Sequence, residues 1–124
     1  MTYDIVILED AKEFPDKLEP KMMVKSYRTI KMLSEFGPSL TLPHSRKIAG
    51  TDDLYELRVQ VATNICRLFY FYYNEGIYII LSGFVKKRDK TDPNEIERAL
   101  KIRKEYVDEK EQQNKLEEEN NGGK

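Results

Sequence analysis

Cysteine and histidine are almost missing from this chain: 124 residues hold one of each, Cys66 and His44. A lone cysteine closes no internal disulfide, and one cysteine with one histidine builds no zinc module. A disulfide scaffold and a Cys/His metal domain are therefore excluded, and a reducing cytoplasm is the expected compartment. Long apolar runs are missing too. The longest, Ile77 to Leu81, is strand-sized, far short of the ~20 residues of a membrane helix, so no membrane association is expected. The start, Met1-Thr2-Tyr3-Asp4, has no basic stretch followed by an apolar one, and no signal peptide is expected. There is no Gly-rich phosphate cradle, no nucleotide-fold signature and no carboxylate cluster with metal spacing, so neither a cofactor nor a metal is expected.

What is present is charge and aromatic surface. Charged residues make up 35% and the hydrophobic set 40%, with eight Tyr and five Phe. The rings concentrate between Tyr55 and Phe84, too densely for a disordered segment. The net charge of −1 is unevenly spread: residues 46–104 carry +4 and residues 105–124 carry −4. A basic, aromatic middle can hold a local phosphate-binding groove although the whole chain is slightly acidic.

Thr2 to Leu8 is short, apolar and β-branched, which predicts a strand. Asp10 to Leu18 is a weakly amphipathic segment interrupted by Pro15. Pro20 suits the first position of a longer helix, where its missing N–H costs nothing, and Gly37-Pro38 ends that helix. Ser39 to Ser45 reads as a loop. Leu54 to Val61 alternates strictly, with Tyr55, Leu57, Val59 and Val61 on one face and Glu56, Arg58 and Gln60 on the other. Ile65 to Tyr73 and Ile77 to Phe84 follow after short turns, so the three strands form an antiparallel meander. Thr91 or Asp92 caps a last helix beginning at Pro93. The expected fold is α+β: a small antiparallel β-sheet, two N-terminal helices packed on one face, a C-terminal helix, and the other face open to solvent. A domain over residues 1–107 is expected to be followed by an acidic, disordered tail over 108–124.

The chemistry sits on the open face. Arg67 is the single charge in its strand and shares a face with Phe69 and Phe71. Glu56, Arg58 and Gln60 lie on the neighbouring strand, and Lys86, Lys87, Arg88 and Lys90 leave the end of the third. Cations for phosphates beside rings for unpaired bases suit RNA. Structural alternatives stand beside each. Arg58 suits equally a cross-strand pair with Glu56 or Glu75, worth ~0.2–1 kcal/mol. Arg67 suits a salt bridge, and residues 86–90 a solubilising loop. His44 reads as an ordinary surface residue, and Cys66 as a small core hydrophobe.

Four segments in this order, Leu54–Arg58, Cys66–Phe71, Leu81–Lys87 and Asn94–Ala99, resemble the RelE/HigB superfamily, in its phage-derived, HigB-like branch. The resemblance covers roughly Tyr3 to Tyr106. It implies a RelE-like fold and the toxin of a type II toxin–antitoxin system. Such a toxin enters the ribosomal A site and cuts mRNA there, a metal-independent endoribonuclease (mRNA interferase) leaving a 2′,3′-cyclic phosphate. It implies as partners the ribosome, mRNA and a cognate helix-turn-helix, HigA-like antitoxin that forms a hetero-oligomer with it. By the same resemblance Arg67 stabilises the scissile phosphate, Arg58 is a second basic residue, and Glu56 is a candidate general base. Lys87 or Arg88 contacts the phosphate or the leaving group, with Lys86, Lys90, Gln60 and Phe69 holding RNA or ribosome. Several relatives place a Tyr or a His-Tyr pair near the C-terminus; here the corresponding region runs into Asp92-Pro93-Asn94-Glu95 and a long helix, with no His or Tyr before Tyr106. The competing readings are a non-catalytic RelE-fold module that binds an antitoxin or RNA, and a phage-derived relic that kept only the fold.

Overall fold

The computed structural model describes residues 2–12, 14, 18–86 and 92–122. β1 (Asp4–Ile7) leads through the short α1 (Glu9–Lys12) to α2 (Pro20–Phe36) and a 3-10 turn at Gly37–Ser39. β2 (Ser45–Lys47), β3 (Tyr55–Val61), β4 (Asn64–Tyr73) and β5 (Ile77–Lys86) follow, then α3 (Pro93–Gly122). The strands form one sheet in the order β1-β5-β4-β3-β2.

The meander from β3 to β5 is as the alternation predicts, with Arg58 opposite Arg67 and Arg67 opposite Phe84. β2, which overlaps the expected loop only at Ser45 and is not predicted as a strand, pairs antiparallel with β3. The sheet is mixed rather than antiparallel, because β1 lies parallel to β5. A chain that leaves β1 through helices returns to the sheet from the far side, so β1 closes the opposite edge in the same direction as β5.

α1 and α2 pack on one face, as expected. Ala11, Met22, Ile30 and Leu33 meet Leu57, Val59, Cys66, Leu68 and Ile80. α2 opens with Pro20 at its first position and ends at Gly37 (φ +52°), whose N–H donates to the Leu33 carbonyl. The expectation of an open second face is corrected. α3 lies across its β4–β5 half, seating Ile96, Ala99, Leu100, Tyr106 and Val107 against Phe69, Phe71, Ile79, Leu81 and Phe84. Apolar area of that extent, at about 25 cal/mol per Å², is too costly to leave wet, and the helix carries a matching stripe at three- and four-residue spacing.

α3 continues through the segment expected to fray. Residues 111–120 are all exposed, so only the helix's own backbone bonds hold that end. Its start is capped as predicted: Asn94 N–H donates to Asp92 Oδ1 at 2.9 Å.

Candidate nucleic-acid interface

Register alone brings most of the expected residues to the second face. Arg46 on β2 is opposite Glu56 on β3, Glu56 is opposite Phe69 on β4, and Arg58 is opposite Arg67. The side chains then make a cluster that composition does not reveal. Arg67 Nη1 donates to Glu56 Oε1 at 2.8 Å, and Arg46 Nε donates to the same oxygen at 2.5 Å. Glu56 and Arg67 are fully buried, while the Arg46 side chain is 39% exposed.

Arg67 therefore does not reach solvent, contrary to the expectation drawn from its isolation in an apolar strand. A guanidinium there needs a carboxylate within reach, and Glu56 on the adjoining strand supplies it. Phe69 is corrected likewise. It is no open stacking platform but is fully buried, its ring stacked on Phe84 at 5.6 Å between centroids, in the same cluster as Ala99 of α3. Lys86 reaches Asp92 Oδ2 at 2.5 Å and lies over the Phe84 ring at 5.9 Å. That ammonium, followed by the Asn94 N–H, holds the Asp92 carboxyl below its usual range. Lys87, Arg88 and Lys90 lie outside the described residues.

The accessible cations converge instead at the β3 edge of the sheet. Arg58 and Gln60 line a small cleft of about 200 Å³ together with Lys25 of α2, His44 and Ile65. The Arg58 N–H donates to the His44 carbonyl at 2.8 Å, which ties the loop before β2 to that edge. Lys25 Nζ donates to the Gln60 carbonyl at 2.5 Å, tying α2 to it as well. A wider cleft of about 730 Å³ adjoins, with Lys21, Lys25, Arg28 and His44 around an apolar floor of Val24, Met32 and Val61. No acidic residue lines either cleft among the described residues. A phosphate entering there meets lysine and arginine side chains and no described carboxylate.

Two residues take a place at this face that the sequence pattern does not give them, Arg46, which carries no signal there, and His44, which reads there as an ordinary surface residue. Arg46 sits on a three-residue strand too short to register as an alternating pattern. His44 has no acid or nucleophile near it in sequence, and only the path of the loop sets it beside Arg58. Among the described residues no group of three His, Cys, Asp or Glu is placed to hold a metal ion. No described helix is long and apolar enough to cross a membrane.

The family described as "Phage derived protein Gp49-like" matches residues 12–104. No curated protein matches the chain by sequence. Solved structures similar to it include an arginine-to-alanine double mutant of the E. coli toxin RelE in the free state. That match has 20% identity, covers 67% of this chain and 82% of that one, and has a TM-score of 0.54. The intact E. coli RelBE toxin–antitoxin complex matches at 18% identity, over 71% and 99% of the two chains, with a TM-score of 0.52. The archaeal RelE–RelB complex from Pyrococcus horikoshii matches at 20% identity, over 73% and 100%, with a TM-score of 0.50. The resemblance read from the four sequence segments is thus borne out in family and in fold: the chain belongs to the phage-derived Gp49-like family and carries the fold of the RelE toxins.

Proposed function

We propose that this chain is the toxin of a type II toxin–antitoxin pair, a ribosome-dependent endoribonuclease that cuts translated mRNA by attack of the RNA's own 2′-OH. The single observation that carries the reading is the acid-free cleft at the β3 edge, where Lys25, His44 and Arg58 converge on a RelE-type sheet. The reaction needs a proton acceptor, a proton donor and cations facing the phosphate as its charge grows. Arg58 takes the phosphate. His44, which lines the cleft, is the side chain there that can both accept and donate a proton. Glu56, first considered as the base, and Arg67 act by positioning, since both are enclosed and joined to each other. Lys86 sits at the end of β5 next to the face, its register partner being Ile65 of the cleft. Lys87, Arg88 and Lys90 follow Lys86 in the sequence and are proposed to contact RNA or ribosome with it. The expected partner is a helix-turn-helix antitoxin made beside it in the cytoplasm, as RelB accompanies RelE in the matched complexes.

A second reading has an observation of its own. Burial of Glu56 and Arg67 suits a non-catalytic module of the same fold, since two of the residues expected to act on RNA have no solvent access. Induction of the gene without its neighbouring gene, with growth followed and mRNA 5′ ends mapped, separates the two. Arrest with cuts in translated messages is the result expected. A folded, soluble protein that neither arrests growth nor cuts supports the binding module.

A further inference from the structure

On the other face, beyond the end of α2, the sheet carries a wall of tyrosines. Tyr55 and Tyr70 are register partners stacked at 5.5 Å, and Tyr72 and Tyr78 are register partners meeting edge-on at 5.1 Å. Tyr3 closes the row, edge-on to Tyr78 at 5.5 Å. These five rings, of eight tyrosines in the whole chain, line one cavity of about 390 Å³. Only two of them, Tyr70 and Tyr78, are themselves buried, so the other three present ring surface to whatever enters.

Among the described residues, Asp53 is the charged side chain that lines the cavity, and no basic side chain lines it. Gly37 and Pro38 line it too, which puts the C-terminal end of the 17-residue α2 at its edge. That end is the negative pole of the helix, and the last turn holds no basic residue to offset it. Phenol faces, a carboxylate and a helix C-terminus all attract a cation. A nucleobase would also stack on such rings, but its attached phosphate would meet the same negative field. We propose that this cavity receives an arginine side chain presented by a partner polypeptide. Arginine fits better than lysine because its flat guanidinium stacks on rings while its N–H groups reach a carboxylate. The site is separate from the β3-edge cleft and stands whether or not that cleft cuts RNA.

Lys47 is the internal competitor. It holds Asp53 at 3.0 Å from outside the cavity, with both side chains more than half exposed. Removing its charge frees the carboxylate for the incoming guanidinium.

The test titrates the isotope-labelled full chain with a blocked Gly-Arg-Gly peptide and with the same peptide carrying citrulline, following tyrosine and backbone resonances. Saturable shifts confined to Tyr3, Tyr55, Tyr72 and Asp53, with arginine alone, are expected. Asp53→Asn is expected to weaken binding about fivefold, and Tyr72→Leu by a similar factor. Lys47→Gln should strengthen it. Asn is chosen at 53 because the backbone there has φ +53°, which Asn tolerates. Asp53 is exposed, so Asp53→Asn keeps the fold. Tyr72→Leu also gives up the hydroxyl that accepts from the Gly76 N–H at 2.7 Å, so its backbone spectrum is compared with the parent's before titration. Equal response to citrulline, shifts located elsewhere, no saturable shift, or an Asp53→Asn protein that binds as well as the parent would each overturn the proposal.

Discussion

Arg67 and Glu56, on adjoining strands, share a 2.8 Å hydrogen-bonded ion pair with no solvent access to either side chain, and Arg46 completes it from the sheet edge. The pair fixes where β3 and β4 meet and turns two residues expected at a catalytic surface into part of the interior.

The first prediction concerns the asymmetry of that cluster. Arg67→Ala leaves Glu56 with Arg46 still donating to it, whereas Glu56→Ala removes the carboxylate oxygen that both guanidiniums share. Breaking a buried pair from one side costs about 3–5 kcal/mol. Glu56→Ala is therefore expected at the upper end of that range and Arg67→Ala at or below the lower end, by urea unfolding. Equal losses would show that Arg46 contributes nothing.

Alkaline pH tests the packing around Cys66. Burial pushes its thiol up from 9.0 to about 11, partly offset by the Ser26 hydroxyl. The folded chain thus holds a proton that the unfolded chain has released between those two values, so stability falls as pH rises through the window. Two units amount to at most about 3 kcal/mol. Urea midpoints at pH 8 and pH 10.5 are expected to diverge more for the parent than for Cys66→Ala. Burial raises Tyr78 to about 12, and that slope, of the same sign, remains in both proteins. A pH dependence unchanged by Cys66→Ala would remove the thiol from the account.

Gly37 is held by its neighbour as well as by its backbone. A Cβ at this position would lie 2.3 Å from Tyr3 Cε2, and φ is +52°. Gly37→Ala is expected to lose about 1–3 kcal/mol through overpacking and backbone strain together. Pairing it with Tyr3→Ala removes the clash and leaves the strain, so the double variant should lose less than the two single losses added. Simple additivity in thermal unfolding would mean that the ring moves aside freely.

The acidic end of α3 is expected to be dispensable for folding. Tyr106 and Val107 pack against the sheet and Lys110 lies over the Tyr106 ring at 5.7 Å, but residues 111–120 are exposed throughout. Ending the chain after Lys110 should shift stability by less than about 1 kcal/mol while helical ellipticity drops. Tyr106→Ala, which empties an aromatic seat against Phe71 and Tyr73, should cost about 3–5 kcal/mol if the seat stays open. A truncation as harmful as Tyr106→Ala would show that the tail has contacts the helix surface does not reveal.

How much of this was legible in the sequence follows from what a pattern encodes. Strict alternation from Leu54 to Val61 and two short turns give the faces and the strand neighbours, so Arg58 and Arg67 are legible as residues of adjoining strands, while their direct pairing is given by the structure. Alternation tells which face a side chain takes but not what later covers it. Phe69 was therefore assigned to the right face and given the wrong exposure, because α3 arrives from residues far along the chain. The same limit hid the depth of the Glu56–Arg67 pair. The parallel seat of β1 beside β5 depends on the route through two helices, which no local spacing records. Arg46 and His44 became visible only through the loop that carries them to the β3 edge.

The last prediction concerns that edge. Arg58 and His44 line a cleft without acids, and neither belongs to the buried hydrophobic clusters. Both are half-buried, so removing either should cost about 0.5–3 kcal/mol, the ordinary range for a point substitution, without unfolding the chain. If the cleft is where RNA is cut, His44→Ala should slow cleavage by about 10²–10⁴, the range for a lost proton carrier. Arg58→Ala should weaken binding and turnover together, because a phosphate contact acts in ground and transition states alike. Arg58→Lys should restore binding better than turnover, since lysine keeps the charge and loses the forked hydrogen bonds. Cleavage of a ribosome-bound message by purified variants checks all three. Full activity in His44→Ala would move the proton transfer to residues beyond the cleft. Full activity in Arg58→Ala as well would move the whole site away from the β3 edge.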